Sequence, residues 1–578
     1  MTEIKTDKIS GAEALVRSII EEGTDTVFGY PGGAILTVYD KLYDYTDRLT
    51  HILVRHEQGA VHAAQGYARV SGRTGVVIVT SGPGAANVIT GLSDAMADST
   101  PLVVITGQVG RQYLGSDAFQ ETDVVGITQP ITKWAYQVRR ADEVPAAVAR
   151  AFYIASTGRP GPVVLDIAKD AQVGLVDWHY EPVNFIRSYN PMPEIDDAAL
   201  ADAAKLINEA ERPMILAGQG VVISGATECL RLLAEKASIP VCSTLLGLSA
   251  MPSDHKLMKG MLGMHGNLGP NINTNRADVI VAVGMRFDDR VTGNTAAYAP
   301  NAKIVHIDID PSEFDKTVRS TIAINADARQ ALERILPMVD ETDHSEWVAS
   351  FDRHNDVERN SVMSVELYRP EGSKLTMGEV ISKVSEATGH NAVAVTDVGQ
   401  NQMMAARYFK FKSPRSFISS GGLGTMGFGL PAAIGAKIAA PQRTVCLFCG
   451  DGGFQMTIQE LGTIMEYGVG VKMVILNNNF LGNVRQWQNL FYNQRFSQTP
   501  MVNPDFIKIA SAYGIAGEDV TNRENLDAAI ARMLADDRPY LLNVQIDETD
   551  MVFPMTPAGQ AVDHVLLSPD CPYNPDNN

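Results

Sequence analysis

Thr444-Val445-Cys446-Leu447-Phe448-Cys449-Gly450-Asp451-Gly452-Gly453, read together with Val471-Lys472-Met473-Val474-Ile475-Leu476-Asn477-Asn478-Asn479, decides the fold. Each stretch starts as an apolar run and ends on residues able to hold a ligand. Buried parallel strands have this composition, and α/β proteins bind ligands at the carboxyl ends of such strands. One helix-length segment separates the two, so Asp451 and Asn478 are expected side by side at one sheet edge. A carboxylate beside an amide oxygen suits a hard cation that also takes phosphate oxygens and water, and Mg2+ is that cation. The glycines around Asp451 let main chain approach a diphosphate, and the next helix aims its N-terminus there. A lone GDG is as readily a turn; GDG, helix, strand and NN in this order are far more specific.

The same alternation fills the chain and predicts α/β architecture with mainly parallel sheets in three doubly wound blocks. The first has Thr26-Val27-Phe28, Gly75 to Thr80, Leu102 to Ile105 and Val163 to Ile167 as strands. Tyr189-Asn190-Pro191-Met192-Pro193-Glu194 reads as a linker. The second block has Met214 to Ala217, Val279 to Val283 and Lys303 to Ile307, and a charged stretch from Asp340 to Lys374 reads as a second linker. The third runs from Ala392 to Val544. Domains are therefore expected at 1–188, 195–340 and 370–578.

At 578 residues the chain is too long for one core. Its 45% apolar and 20% charged content is that of a soluble globular enzyme, and a net charge of −19 argues against nucleic acid or an anionic membrane as partner. No apolar run is long enough to span a bilayer, and Met1 to Lys8 shows no leader character. Five scattered cysteines suit reduced thiols in a cytoplasm. Cys446 and Cys449 lie within one strand, where an i, i+3 pair faces opposite sides, so both are expected in the core.

Glu57, in Arg55-His56-Glu57-Gln58-Gly59-Ala60, follows the strand Ile52-Leu53-Val54 and opens an alanine-rich helix. By itself such a Glu is a helix-dipole partner, and His56 and His62 are helix-start and packing residues. Together with GDG…NN, Gly29-Tyr30-Pro31-Gly32-Gly33-Ala34 and Ser81-Gly82-Pro83-Gly84, however, Glu57 completes a larger pattern. The chain resembles the acetohydroxyacid synthase (acetolactate synthase) catalytic-subunit family of thiamine diphosphate (ThDP) enzymes over nearly its whole length. The most specific motifs are Asp117-Ala118-Phe119-Gln120-Glu121, Arg286 to Gly293, Gly421 to Gly427 and Arg485-Gln486-Trp487-Gln488.

The resemblance implies a pyrimidine-binding, a central FAD-binding and a diphosphate-binding domain. It also implies a homodimer or homotetramer with active sites between chains, Glu57 of one facing Asp451 of the other. Pyruvate would be decarboxylated on ThDP and the hydroxyethyl carbanion condensed with a second 2-ketoacid, pyruvate or 2-ketobutyrate, on the route to valine, leucine and isoleucine. Glu57 would drive cofactor ionisation through the aminopyrimidine, and Met426 would wedge ThDP into a V shape. Arg290 would bind the second carboxylate, though beside Asp288 and Asp289 it also suits a surface ion pair. Trp487 would favour the extra methylene of 2-ketobutyrate. Gln120, Lys169 and Phe119 would complete the pocket, with main chain near Gly33 donating to the developing alkoxide.

The family also places ThDP against Pro31, Asn87, Gly399, Gln400, Gln402, Gly424, Gly450, Gly452, Gly453, Leu481 and Gly482, with Phe480 joining Asp451 and Asn478 on Mg2+. FAD would contact Arg159, Gly218, Gly220, Thr244, Leu245, Leu262, Gly263, Met264, His265, Gly284, Arg286, Asp308, Ile309 and Asp327. Read from residues alone, this middle block is weak: Gly218-Gln219-Gly220 with Gly225 departs from the GxGxxG fingerprint. Because the net reaction has no redox step, FAD would be structural. Gly110, Ala168 and Asn483 stand where the family commonly has Pro, Pro and Met. Nothing after the third block resembles a regulatory segment, so valine control would need a separate small subunit. Rival readings are a ThDP oxidase or decarboxylase, which needs no second acid site, and a nucleotide-binding redox flavoprotein, which leaves Glu57, Asp451 and Asn478 unexplained.

Overall fold

The structure is a computed structural model that describes residues 7–370 and 372–575. The first six residues, part of the no-leader reading, and the last three of the tail lie outside these. Three six-stranded sheets dominate, and every strand pair within them is parallel. The first runs, edge to edge, Thr50–Leu53, Thr26–Tyr30, Gly75–Val79, Leu102–Gln108, Pro162–Ala168 and Trp134–Val138. The third runs Phe417–Ile418, Val393–Thr396, Val445–Gly450, Val471–Asn477, Tyr540–Gln545 and Ala516–Val520. Numbered within its own block, each follows the order 2-1-3-4-6-5. The middle sheet differs: Met258–Met261, Val241–Ser243, Pro213–Ala217, Val279–Val283, Lys303–Asp308 and Ile322–Asn325 follow 3-2-1-4-5-6. That is the order of dinucleotide-binding sheets, with its switch point between Pro213–Ala217 and Val279–Val283.

The central strands are buried on both faces, which is why they read as unbroken apolar runs rather than alternating ones. Val279, Val281 and Val283 pack into one cluster, Ile280 and Ala282 into another. Cys446 and Phe448 likewise pack on one face of their sheet, Val445, Leu447 and Cys449 on the other.

The first and third blocks meet through helices Glu57–Ser71 and Gly429–Ala439. A Cβ on Gly435 would lie 1.7 Å from Ala63 O, and one on Gly66 would lie 2.0 Å from Ala432 O. Only glycine allows main chain this close.

The stretch from Asp340 to Lys374 is not the plain linker expected from its charge. It forms helix Ser345–Glu358, a π-turn over Arg359–Met363 and helix Ser364–Leu367. Trp347, Phe351, His354 and Glu358 are buried at i, i+4, i+7 and i+11, so a narrow stripe anchors an otherwise polar helix.

Candidate active site

Val445–Gly450 and Val471–Asn477 are neighbours, with Gly450 opposite Leu476, so Asp451 and Asn478 emerge at the same edge. Asp451 opens helix Asp451–Met456 and is 1% exposed. Its Oδ2 accepts a 2.6 Å bond from Asn503 Nδ2, while its buried Oδ1 has no partner. Burial pushes this carboxyl above the usual range despite the Asn503 bond. Asn478 is also buried; its Oδ1 accepts from Phe480 N at 3.1 Å and its Nδ2 donates to Gln400 Oε1 at 3.2 Å. A buried carboxylate oxygen with no donor is costly, and a hard cation bound by Asp451 and the Asn478 amide oxygen would satisfy it. The residues present thus fit Mg2+.

Two glycines pack closely beside this pair. A Cβ on Gly482 would lie 2.0 Å from Gln400 Oε1, and one on Gly453 would lie 2.3 Å from Asp397 Oδ1. Buried Asp397 accepts from Val398 N and Gly429 N at 2.9 Å and from Gly427 N at 3.0 Å. It thereby fixes the loop that carries Met426. The other end of that loop is held from the first block: Asp98 accepts from Gly421 N at 2.9 Å and Gly422 N at 2.6 Å, and Asp94 accepts from Ser420 Oγ and Thr425 Oγ1. Arg69 pairs with Asp98 at 2.8 Å and donates to Thr100 Oγ1 at 3.0 Å.

In the first block Glu57 starts helix Glu57–Ser71, which His56 caps through its Nδ1. Asn87 Nδ2 donates to Glu57 Oε2 at 2.9 Å, and a Cβ on Gly84 would lie 3.3 Å from Glu57 Oε1. The hydroxyls of Thr80 and Ser81, at the end of strand Gly75–Val79, are buried without partners. His62 is buried, its imidazole pushed down to about 3 by desolvation, and packs edge-on against Phe428. Pro31 is half-buried, whereas Gly33, Gln120 and Lys169 are exposed and Phe119 is 88% exposed. Gly82, with φ +55°, abuts the main chain of Gln120: a Cβ there would lie 2.8 Å from Gln120 O.

A cavity of about 730 Å3 opens where the three blocks meet, a size suited to a small molecule or cofactor. Twelve of the residues expected to meet FAD line it: Arg159, Gly220, Thr244, Leu245, Leu262, Met264, His265, Gly284, Arg286, Asp308, Ile309 and Asp327. Gly218 and Gly263 do not. Gly218 packs instead against Gly284, where a Cβ would lie 2.0 Å from Gly284 O. This glycine cradle occupies the switch point of the 3-2-1-4-5-6 sheet, so cavity, cradle and strand order fit a dinucleotide. Arg159 Nη1 donates to Asp310 Oδ2 at 3.1 Å and Glu313 Oε1 at 2.7 Å, tying the first block to its rim. Burial raises the Asp308 carboxyl to about 6.

Gly399, Gln402, Gly424, Arg290, Asn483 and Trp487 line the same cavity. Arg290 also makes the surface ion pair that its neighbours suggested, 3.5 Å to Asp289 with both side chains exposed. Glu57, Gly33, Gln120, Lys169, Met426, Asp451 and Asn478 lie outside that lining. Around Glu57 stand Asn87, Thr80 and Gly84; around Asp451 stands Asn503. Within one chain Glu57 and Asp451 thus have separate immediate partners.

Comparison with known proteins agrees with this layout. Residues 9–127 match the N-terminal TPP binding domain of thiamine pyrophosphate enzymes, 200–335 the central domain and 397–544 the C-terminal TPP binding domain. The chain is 44% identical over 569 residues to the acetolactate synthase large subunit of Lactococcus lactis subsp. lactis, covering 98% of each. The chain belongs to the acetolactate synthase large-subunit family of thiamine pyrophosphate enzymes. It is also 44% identical over 566 residues to a probable acetolactate synthase large subunit of Methanocaldococcus jannaschii (96% of this chain, 95% of the relative). To the isozyme 3 large subunit of Escherichia coli it is 43% identical over 569 residues (97% and 99%). Among the described residues no helix is long and apolar enough to cross a membrane.

Sequence reasoning missed Asn503, Asp397, Asp94 and Asp98. Each acts across 26 to 331 positions of chain, through main-chain amides or side chains that no local pattern announces. The one usable signal was Asp397 itself, a carboxylate directly after the apolar strand Val393–Thr396.

Proposed function

We propose that the chain is the catalytic large subunit of an acetolactate synthase, joining the two-carbon fragment left when pyruvate loses CO2 to a second 2-ketoacid. Pyruvate as acceptor gives 2-acetolactate and 2-ketobutyrate gives 2-aceto-2-hydroxybutyrate. The observation that carries this reading is the unpartnered, buried Asp451 Oδ1 beside Asn478, at adjacent strand ends of a glycine-lined edge. The three sheets support domains at 1–188, 195–340 and 370–578.

When bound, ThDP would supply a nucleophilic carbon and a cationic ring that takes up the electrons left by decarboxylation. The chain supplies the rest. Asp451, Asn478 and the main chain of Phe480 would hold Mg2+ against the diphosphate, and Gly452 and Gly453 leave room for its oxygens. Asn87 donates to Glu57 Oε2, and Oε1 would hold the proton on the aminopyrimidine ring nitrogen. Asp397 and Asp98 hold both ends of the Met426 loop, so the Met426 side chain can brace the cofactor rather than swing. Arg290 and Trp487, on the wall shared with Gly399 and Gly424, would receive the acceptor's carboxylate and alkyl group. This second acid site is what separates a synthase from a decarboxylase. FAD would occupy the middle cavity, held by Arg159, Asp308 and the Gly218–Gly220–Gly284 cradle, in a structural role.

The exposed face around Gly33, Phe119, Gln120 and Lys169 supports a homodimer or homotetramer in which a second copy brings Asp451 opposite Glu57. The words "large subunit" in the relatives' names support a separate small regulatory subunit, and five cysteines without a disulfide support a cytoplasmic location. The test is incubation with pyruvate, with and without ThDP and Mg2+. Acetolactate formed only with both cofactors is expected; acetaldehyde or acetate as the sole product refutes the reading.

A further inference from the structure

Helix Gly482–Phe491 carries Asn483 and Trp487 on the cavity wall, yet only one of its residues, Gln486, is fully buried. The Gln486 amide makes both bonds of a strand ladder to a single residue: Nε2 donates to Val552 O at 3.1 Å, and Val552 N donates to Oε1 at 2.8 Å. Gln400 Nε2 donates to the same Oε1 at 3.4 Å and to Asp550 O at 2.9 Å. Gln400 Oε1 accepts from Asn478 Nδ2 at 3.2 Å.

This series has a direction. A main-chain N–H can only donate and a C=O can only accept, so Val552 decides which end of the Gln486 amide is oxygen. That oxygen and Asp550 O both take a donor, so Gln400 presents its NH2 group to the two of them and its oxygen to Asn478. Asn478 is thus held from both sides, Nδ2 turned inward to Gln400 and Oδ1 facing away from it, where it accepts from Phe480 N. Gly482, with no room for a Cβ beside Gln400 Oε1 and Asn478 Nδ2, keeps the helix start tight against the series.

We propose that Gln486 is a positioning residue whose amide both braces Gln400 against Asn478 and sets the rotation of the helix bearing Trp487, so that metal retention and acceptor choice share one anchor. The acceptor half rests on the acetolactate reading above, and the metal half rests only on the Mg2+ site proposed at Asp451 and Asn478. Gln486→Met keeps the shape and removes the amide. Gln486→Glu keeps the oxygen facing Val552 N but sets its second oxygen against Val552 O, until protonation turns that oxygen into a donor.

Mg2+ binding is read by tryptophan fluorescence in the presence of ThDP, and acceptor choice by the ratio of products from a pyruvate and 2-ketobutyrate mixture. Gln486→Met should weaken Mg2+ binding about 10- to 100-fold and shift the product ratio toward acetolactate. Gln486→Glu should recover Mg2+ affinity relative to wild type at the same pH as the pH falls. A Gln486→Met protein with either quantity unchanged overturns the proposal, as does a lowered Tm with both unchanged. If that variant does not fold, absence of the pH recovery in Gln486→Glu overturns it. A wild type that binds Mg2+ and ThDP but forms no acetolactate sinks the functional reading and leaves the binding arm to decide this one.

Discussion

The first and third blocks share one strand order and differ in how finished their ligand edges are. In the third, Asp451, Asn478 and Gln400 are buried and bonded to one another or to Asn503, with one carboxylate oxygen left over. In the first, Glu57 has a single side-chain partner, and Gly33, Phe119, Gln120 and Lys169 face outward. One sheet type thus serves two tasks. The third block's edge is buried and internally bonded, whereas the first keeps an open face. Preorganisation requires buried partners, and these are what the third block has accumulated.

The contrast can be broken at four points. Glu57→Gln should lower acetolactate formation about 10²- to 10⁴-fold while Mg2+ and ThDP still bind, because the first block contributes proton handling and not the anchor. Steady-state rates with a parallel binding titration read this; loss of binding instead would show that the two edges are not separate in function. Asn503→Ala should free Asp451 Oδ2 and weaken Mg2+ about 10- to 100-fold, measured by the Mg2+ dependence of the rate, with little change at saturating metal. Trp487→Ala should cut the preference for 2-ketobutyrate over pyruvate by about tenfold, read from product ratios.

The smallest effect concerns the middle block. Asp308 is raised to about 6 by burial, against an ordinary 3.8. Its ionised form is thus disfavoured in the fold: stability is full below pH 3.8 and is lost as pH rises through about 6. Asp308→Asn removes that cost, at most about 3 kcal/mol. In flavin-free protein Tm should therefore rise at pH 8, with the gain vanishing towards pH 4. An equal gain at both pH values would place the effect elsewhere.

Much of this was legible because buried parallel strands are apolar along their whole length. Val279 to Val283 coincides with its strand, and Met214 to Ala217 and Lys303 to Ile307 fall within one residue of theirs. The Asp451–Asn478 pairing was legible because two strand ends in register leave no other place for their next residues. The middle sheet's order was not, because Gly218-Gln219-Gly220 lacks the usual third glycine spacing and the cradle borrows Gly284 from another strand. The helix Ser345–Glu358 was hidden because only every third or fourth residue is buried. Asp397 and Gln486 were hidden for a different reason: their partners are largely main-chain groups, which carry no residue-type signal, while Asn503 reaches the side chains of Asp451, Asn477 and Asn479 from 24 to 52 positions away.

The most direct test of the divided site mixes two inactive proteins, Glu57→Gln and Asp451→Ala, under conditions that let subunits exchange, and measures acetolactate. If each site takes its glutamate from one copy and its metal carboxylate from another, random pairing leaves one intact site in half of the dimers, and activity should return to about a quarter of wild type. A mixture that stays as inactive as its components, with exchange verified, would contradict the account.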